Sequence, residues 1–229
     1  MLAEQIASMP ELGGVRCNPV VVTGHPFDGI LRVAASVNPD LIVMGQHRRK
    51  LLDIFLGTTV ERVVRGGSYP VLMVNNEAQR NYDRVLAPVD MSEASANAIR
   101  VGLATGLMRG NGTMILHAFS PRGKTRMISV GAHPASIDEY IKGENERAMD
   151  ELTTFLVSND LGSRSWSLRI EEGAPMQVIA GAVSRVRPDL LVMGTHNRSG
   201  LSRAVIGSVT EEALRSLRVD ILAVPPLKG

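Results

Sequence analysis

The chain has 229 residues, 44% hydrophobic and 21% charged, a size that allows one large domain or two small ones. Its 25 basic and 23 acidic side chains leave a formal charge of +2, and both parts are near neutral, with 8 basic and 7 acidic residues in 1–80. With no basic arm and only 3% aromatic residues, nucleic acid is excluded as an expected partner. Along the chain, Pro19–Thr23, Leu41–Met44 and Val71–Val74 are short apolar runs that read as buried strands. Arg84–Val89 is a fourth such run, ending at Asp90. Asp90 or Ser92 caps a helix to about Met108, and Gly110 and Gly112 close it. Thr113–Phe119 is the next strand, followed by a loop with Pro121, Gly123, Gly131 and Pro134. A long amphipathic helix then runs from about Pro134 to Ser158, with Ile137, Ile141, Met149, Leu152 and Leu156 on its apolar face. Strands at Ser165–Ile170, Leu190–Met193 and Ile221–Val224 alternate with helices at Ala174–Val186 and Ser208–Ser216. This alternation predicts an α/β fold, an open doubly wound parallel sheet covered on both faces.

The chain repeats itself. Asn-Pro-Asp-Leu-Ile-Val-Met-Gly at 38–45 matches Arg-Pro-Asp-Leu-Leu-Val-Met-Gly at 187–194, an offset of 149 shared by Gly24 and Gly173. Gly57-Thr58, Glu61 and Val71–Val74 match Gly207-Ser208, Glu211 and Ile221–Val224 at 150, so the first copy has one residue fewer in its loop. Residues 81–229 form a complete unit, while residues 1–80 match only its last half and carry only its last three strands. The expectation is a duplicated domain whose first copy continues upstream of Met1. The fourth strand of that copy is left with an unpaired side, which favours a homo-oligomer. The final strands, Val71–Val74 and Ile221–Val224, are apolar edges without a protecting Lys, each of which needs to be covered.

Ligands of open parallel sheets collect beyond the carboxyl ends of the strands, where the strand order reverses. Two segments converge there in the complete copy. One is Pro88-Val89-Asp90; the other is Met193-Gly194-Thr195-His196-Asn197-Arg198, leading to Gly207-Ser208-Val209-Thr210 at a helix start. Free N–H groups, a hydroxyl and a positive dipole end suit phosphate, and Arg198 adds charge. Equally, the glycines can serve as turn residues and Ser208 as an N-cap.

At these residues the sequence resembles the universal stress proteins in their tandem two-domain form, an adenine-nucleotide α-hydrolase-like fold. The family's ATP-binding members carry G-x2-G-x9-G-[ST], and the second copy reads GTHNRSGLSRAVIGS, matching at Gly194, Gly207 and Ser208. Asn197 stands at the second glycine, and Asn is the residue other than Gly that best tolerates a left-handed backbone. Pro88-Val89-Asp90 and Ser92 match the family's first-strand motif, whose Asp lies beside adenosine, and Ala118 stands where a Val commonly meets adenine. The resemblance implies a cytosolic stress-response protein binding ATP, with Mg, or a related adenine nucleotide in its second copy and without strong catalysis. It also implies that the two copies pack through their final strands about a pseudo-two-fold axis, within one chain or by exchange between two. In the first copy, Arg48 replaces the second Gly, the loop is shorter and the strand bearing the Asp is missing, so no nucleotide is expected there. The alternative is a stress protein that holds no nucleotide and acts by pairing with itself or a partner.

Other candidates have plain structural readings. His47 and His196 are equivalent by duplication, and with His25 and His117 they show no metal-ligand spacing, so no metal is expected. Cys17 is the single cysteine, which excludes a disulfide framework and reads as a bystander thiol. Ser208 has no evident general base, and neither GxxxxGK[ST] nor GxGxxG occurs. MLAEQIASMPEL has no basic start or h-region, and no apolar run reaches the about 20 residues of a membrane span, so no membrane partner is expected.

Overall fold

The computed structural model describes residues 2–45, 59–77, 81–109, 112–195 and 206–226. In chain order the elements are α1 (Leu2–Ala7), a 3₁₀ turn (Pro10–Leu12), α2 (Pro26–Val37), β1 (Ile42–Gly45), α3 (Thr59–Gly66) and β2 (Val71–Val74). The second unit follows with β3 (Val85–Pro88), α4 (Glu93–Ala104), β4 (Thr113–Phe119), α5 (Lys124–Ser129), α6 (Pro134–Ser158) and β5 (Ser167–Glu172). It ends with α7 (Pro175–Val186), β6 (Leu190–Gly194), α8 (Ser208–Ser216) and β7 (Asp220–Val224). Local chemistry sets the boundaries. Ser92 caps α4 by accepting from the Ser95 N–H, and Pro26, Pro134 and Pro175 open their helices where an N–H has no intrahelical acceptor. The duplication shows in backbone detail. Helices α2 and α7 end on left-handed Asn38 (φ 47°) and Arg187 (φ 48°), whose N–H groups bond the equivalent Ala34 and Val183 carbonyls.

All seven strands join one sheet in the order β1-β2-β7-β6-β3-β4-β5. Within each unit the strands are parallel, and the units meet where β2 and β7 pair antiparallel. That register sets Val71 against Ala223, Leu72 against Leu222 and Met73 against Ile221, so the equivalent leucines face each other at the pseudo-two-fold axis. Each apolar edge thereby covers the other, as the family resemblance implies.

Helices α2, α3, α7 and α8, drawn from both units, pack on one face around Val63, Ile179, Ala213 and Ile221. Among the described residues, only α4 and α6 contribute helical residues to the core of the other face, around Ile99, Leu152, Val192 and Leu222. Among the described residues, the second unit is therefore covered on both faces. One expectation is corrected. Pro19–Thr23 is not a strand, and the first unit has two strands among the described residues instead of three. The equivalent β5 holds its place by pairing with β4, a strand with no counterpart in the first unit. An apolar run without a ladder partner cannot leave its peptide groups buried, so this segment stays at the surface. Helix α5 also interrupts the stretch expected to be loop.

Candidate functional site

Within the second unit the order β5-β4-β3-β6-β7 reverses between β3 and β6. A cavity of about 170 Å³ opens beyond their carboxyl ends. The structure brings Pro88, Val89, Asp90, Ala118, Met193, Gly194, Gly207, Ser208, Val209 and Thr210 around it. His196, Asn197 and Arg198 lie outside the described residues, as do His47, Arg48, Gly57 and Thr58. Ser95, Leu116, His117, Pro175 and Ile179 also line the cavity, and the sequence reading did not place them in the site. The volume is below the about 300–1,000 Å³ of a whole small-molecule pocket.

Asp90 is held by its own helix start. Its Oδ1 accepts from Ser92 Oγ at 2.5 Å, Ser95 Oγ at 2.6 Å and the Ser92 N–H at 3.1 Å. Its Oδ2 has no partner among the described residues, so the carboxylate is fixed in orientation with one oxygen still able to accept. At the opposite wall the Gly207 N–H donates to the Thr195 carbonyl at 2.7 Å, and Thr210 Oγ1 donates to the Gly194 carbonyl at 2.8 Å. These two bonds tie the start of α8 to the end of β6. Gly207 occupies the N-cap position and Ser208 is the first helical residue, which corrects the N-cap reading of Ser208. The first bond of the helix runs from the Glu211 N–H to the Gly207 carbonyl. The N–H groups of Ser208, Val209 and Thr210 therefore have no intrahelical acceptor and, with the helix dipole, favour an anion. Gly194 is required by close approach, since a Cβ there would sit 2.7 Å from the Ala94 carbonyl oxygen. Across the floor, His117 Nδ1 lies 2.8 Å from the Val89 carbonyl oxygen and donates its proton there.

The far end of α8 is tied to the first unit. Arg215 of α8 donates to both carboxylate oxygens of Glu61 in α3, at 3.1 and 3.2 Å, and Arg65 donates to Glu211 at 3.1 Å. The two pairs are related by the duplication: each unit offers its Glu to the other's Arg, the reciprocal pattern of a two-fold interface. Glu61 is 2% exposed, and its hydrogen bonds hold the Arg215 guanidinium above its ordinary pKa. Among the described residues no three His, Cys, Asp or Glu side chains gather as metal ligands, and no helix is long and apolar enough to cross a membrane.

The universal stress protein family model matches residues 2–75 and again 81–225. Universal stress protein E of Escherichia coli (strain K12) is 23% identical over 218 residues, covering 90% of this chain and 67% of that protein. Its homologue in Haemophilus influenzae is 24% identical over 220 residues, covering 91% and 69%. A universal stress protein structure from Archaeoglobus fulgidus DSM 4304 superposes with a TM-score of 0.65 at 21% identity, over 98% of this chain and 75% of that one. With a family model matching nearly its whole length in two segments that meet at the observed pseudo-two-fold junction, the chain belongs to the universal stress protein family in tandem form.

Proposed function

We propose that this universal stress protein binds ATP, or a related adenine nucleotide, in the cavity of its second unit and does not catalyse strongly. The observation that carries the reading is the pairing of two unlike walls across one switch point. Ala118, Met193, Pro175 and Ile179 supply an apolar side for a base. The start of α8 supplies N–H groups without intrahelical acceptors and the Ser208 hydroxyl for phosphate. Asp90, with an oxygen free to accept, suits a ribose hydroxyl between them. The glycine spacing shared with the family's ATP-binding members supports the same ligand.

The chemistry of the walls favours holding over turnover. Ser208 begins a helix with no His, Asp or Glu bonded to its hydroxyl among the described residues, and Asp90 is committed to two serines. Binding to the folded chain raises its melting temperature by mass action. Millimolar MgATP is therefore expected to raise the melting temperature saturably, while Gly207→Asp, which sets a negative charge at the anion end, removes most of the shift. An unchanged melting temperature for folded wild-type chain would overturn the reading.

A further inference from the structure

Two serines stand beside Asp90, and the helix that follows needs only one of them. Ser92 is the N-cap of α4 and accepts from the Ser95 N–H at 3.3 Å. That bond makes the cap, and the Ser95 hydroxyl has no part in it. The hydroxyl bonds twice to a single residue instead, accepting from the Asp90 N–H at 3.2 Å and donating to Asp90 Oδ1 at 2.6 Å. A bridge between the backbone and the side chain of one residue restrains both of its side-chain torsions. Ser95 is 6% exposed and lines the cavity, so water competes little for these bonds.

The frame around the bridge is held as well. The Val89 N–H donates to the Leu116 carbonyl at 2.8 Å, tying the residue before Asp90 to β4. The Ala94 carbonyl lies against Gly194 too closely to admit a Cβ, which seats the first turn of α4 on β6. With both ends seated, the direction of Asp90 Oδ2 is set before any ligand arrives.

Oδ1 already takes three donors, the Ser92 N–H and the two serine hydroxyls. Oδ2 takes none among the described residues, and an oxygen of an ionised carboxylate only accepts. The ligand group that meets it is therefore a donor. The strand order β4-β3-β6 says which donor of a nucleotide this is. Ala118 ends the apolar wall on β4, the anion end lies beyond β6, and Asp90 follows β3 between them. In a nucleotide the sugar stands between base and phosphate.

We propose that the second unit selects ribonucleotides over deoxyribonucleotides, and that Ser95 is the positioning residue that sets this selectivity by fixing Asp90. The inference rests on the nucleotide binding proposed above. A site built to bond a hydroxyl leaves its acceptor unmet when the hydroxyl is missing, and that penalty is what discriminates.

The test is isothermal titration of the full chain with the magnesium complexes of ATP, 2′-deoxyATP and 3′-deoxyATP, repeated on Ser95→Ala. Wild-type chain is expected to bind ATP at least about tenfold more tightly than one of the deoxy analogues, about 1.4 kcal/mol. Ser95→Ala keeps the Ser92 cap and places a strong helix former in α4, so the chain should fold, which circular dichroism checks. The variant is expected to bind ATP and that analogue with nearly equal affinity. A purely structural loss would weaken all three ligands together and leave their ratio unchanged. Ser95→Cys, similar in shape but a weaker donor, should narrow the same ratio and gives a second reading. Equal wild-type affinity for all three ligands would overturn the inference and leave the nucleotide site standing. A preference that survives both substitutions would overturn the role given to Ser95. Folded wild-type chain that binds none of the three would remove the proposed function and this inference with it.

Discussion

Gly194 and Tyr82 show how single side chains decide the local structure. At Gly194 an added methyl would meet the carbonyl of Ala94, and backbone cannot swing aside as a side chain can. Gly194→Ala therefore forces α4 away from β6, at about 1–3 kcal/mol for overpacking. Calorimetry should show the melting temperature falling by roughly 2–4 °C per kcal/mol for a chain of this size. Tyr82 acts through charge. Asp220 is buried at the start of β7 and accepts from the Tyr82 hydroxyl at 2.6 Å and the Asn75 and Asn76 N–H groups at 2.8 and 3.1 Å, clamping the ends of the inter-unit linker. Burial, then the bond to Asp220 and its negative charge, push the phenol well above its ordinary value of 10.0. The folded state thus favours the neutral phenol. That contribution is complete below the unfolded value and is lost as pH rises through the folded one. Urea denaturation is expected to show stability falling above pH about 10, and Tyr82→Phe should flatten that part of the slope while losing about 1 kcal/mol at neutral pH.

Among the elements, α3 and α8 are the pair whose contact joins the units on one face. Glu61 is buried against a half-exposed Arg215, whereas Arg65, equally half-exposed, meets a Glu211 that is itself more open to water than Glu61. Removing the buried partner matters more, so Glu61→Ala should cost about 1–3 kcal/mol and Arg65→Ala under about 1 kcal/mol. Chemical denaturation of both variants checks the order, and a larger loss at Arg65 would contradict it. The strands teach a related lesson about what a sequence pattern contains. Alternating elements from Val85 to Val224 were legible because each apolar run finds both a ladder partner and a covering helix. Val20-Val21-Val22 carries the same apolar pattern, but a pattern records a side chain's aversion to water and says nothing of whether a neighbouring strand exists to bond it. The wall supplied by Pro175 and Ile179 was missed for a different reason: those residues reach the cavity through the packing of α7 on the sheet, which no local motif encodes. Ser95 had a faint signal, three residues after a capping serine and five after Asp90.

At the scale of the whole molecule, duplication explains both the symmetry and its failure. Equivalent caps, equivalent leucines and equivalent ion pairs repeat across the β2–β7 junction, so the repeat seen in the sequence is also the organising axis of the fold. Among the described residues the switch point occurs once. It needs a first strand ending in Asp beside a fourth ending in Gly, and only β3 and β6 satisfy this among the described residues. The segments that build the cavity were accordingly legible from spacing, because the topology of a doubly wound sheet fixes where such ends meet. The proposed function amounts to one adenine nucleotide per chain, held in the second unit. Isothermal titration of the purified chain with MgATP tests it most directly. The predicted result is a stoichiometry of one per chain that Gly207→Asp weakens at least about tenfold. A stoichiometry of two, or binding untouched by Gly207→Asp, would contradict it.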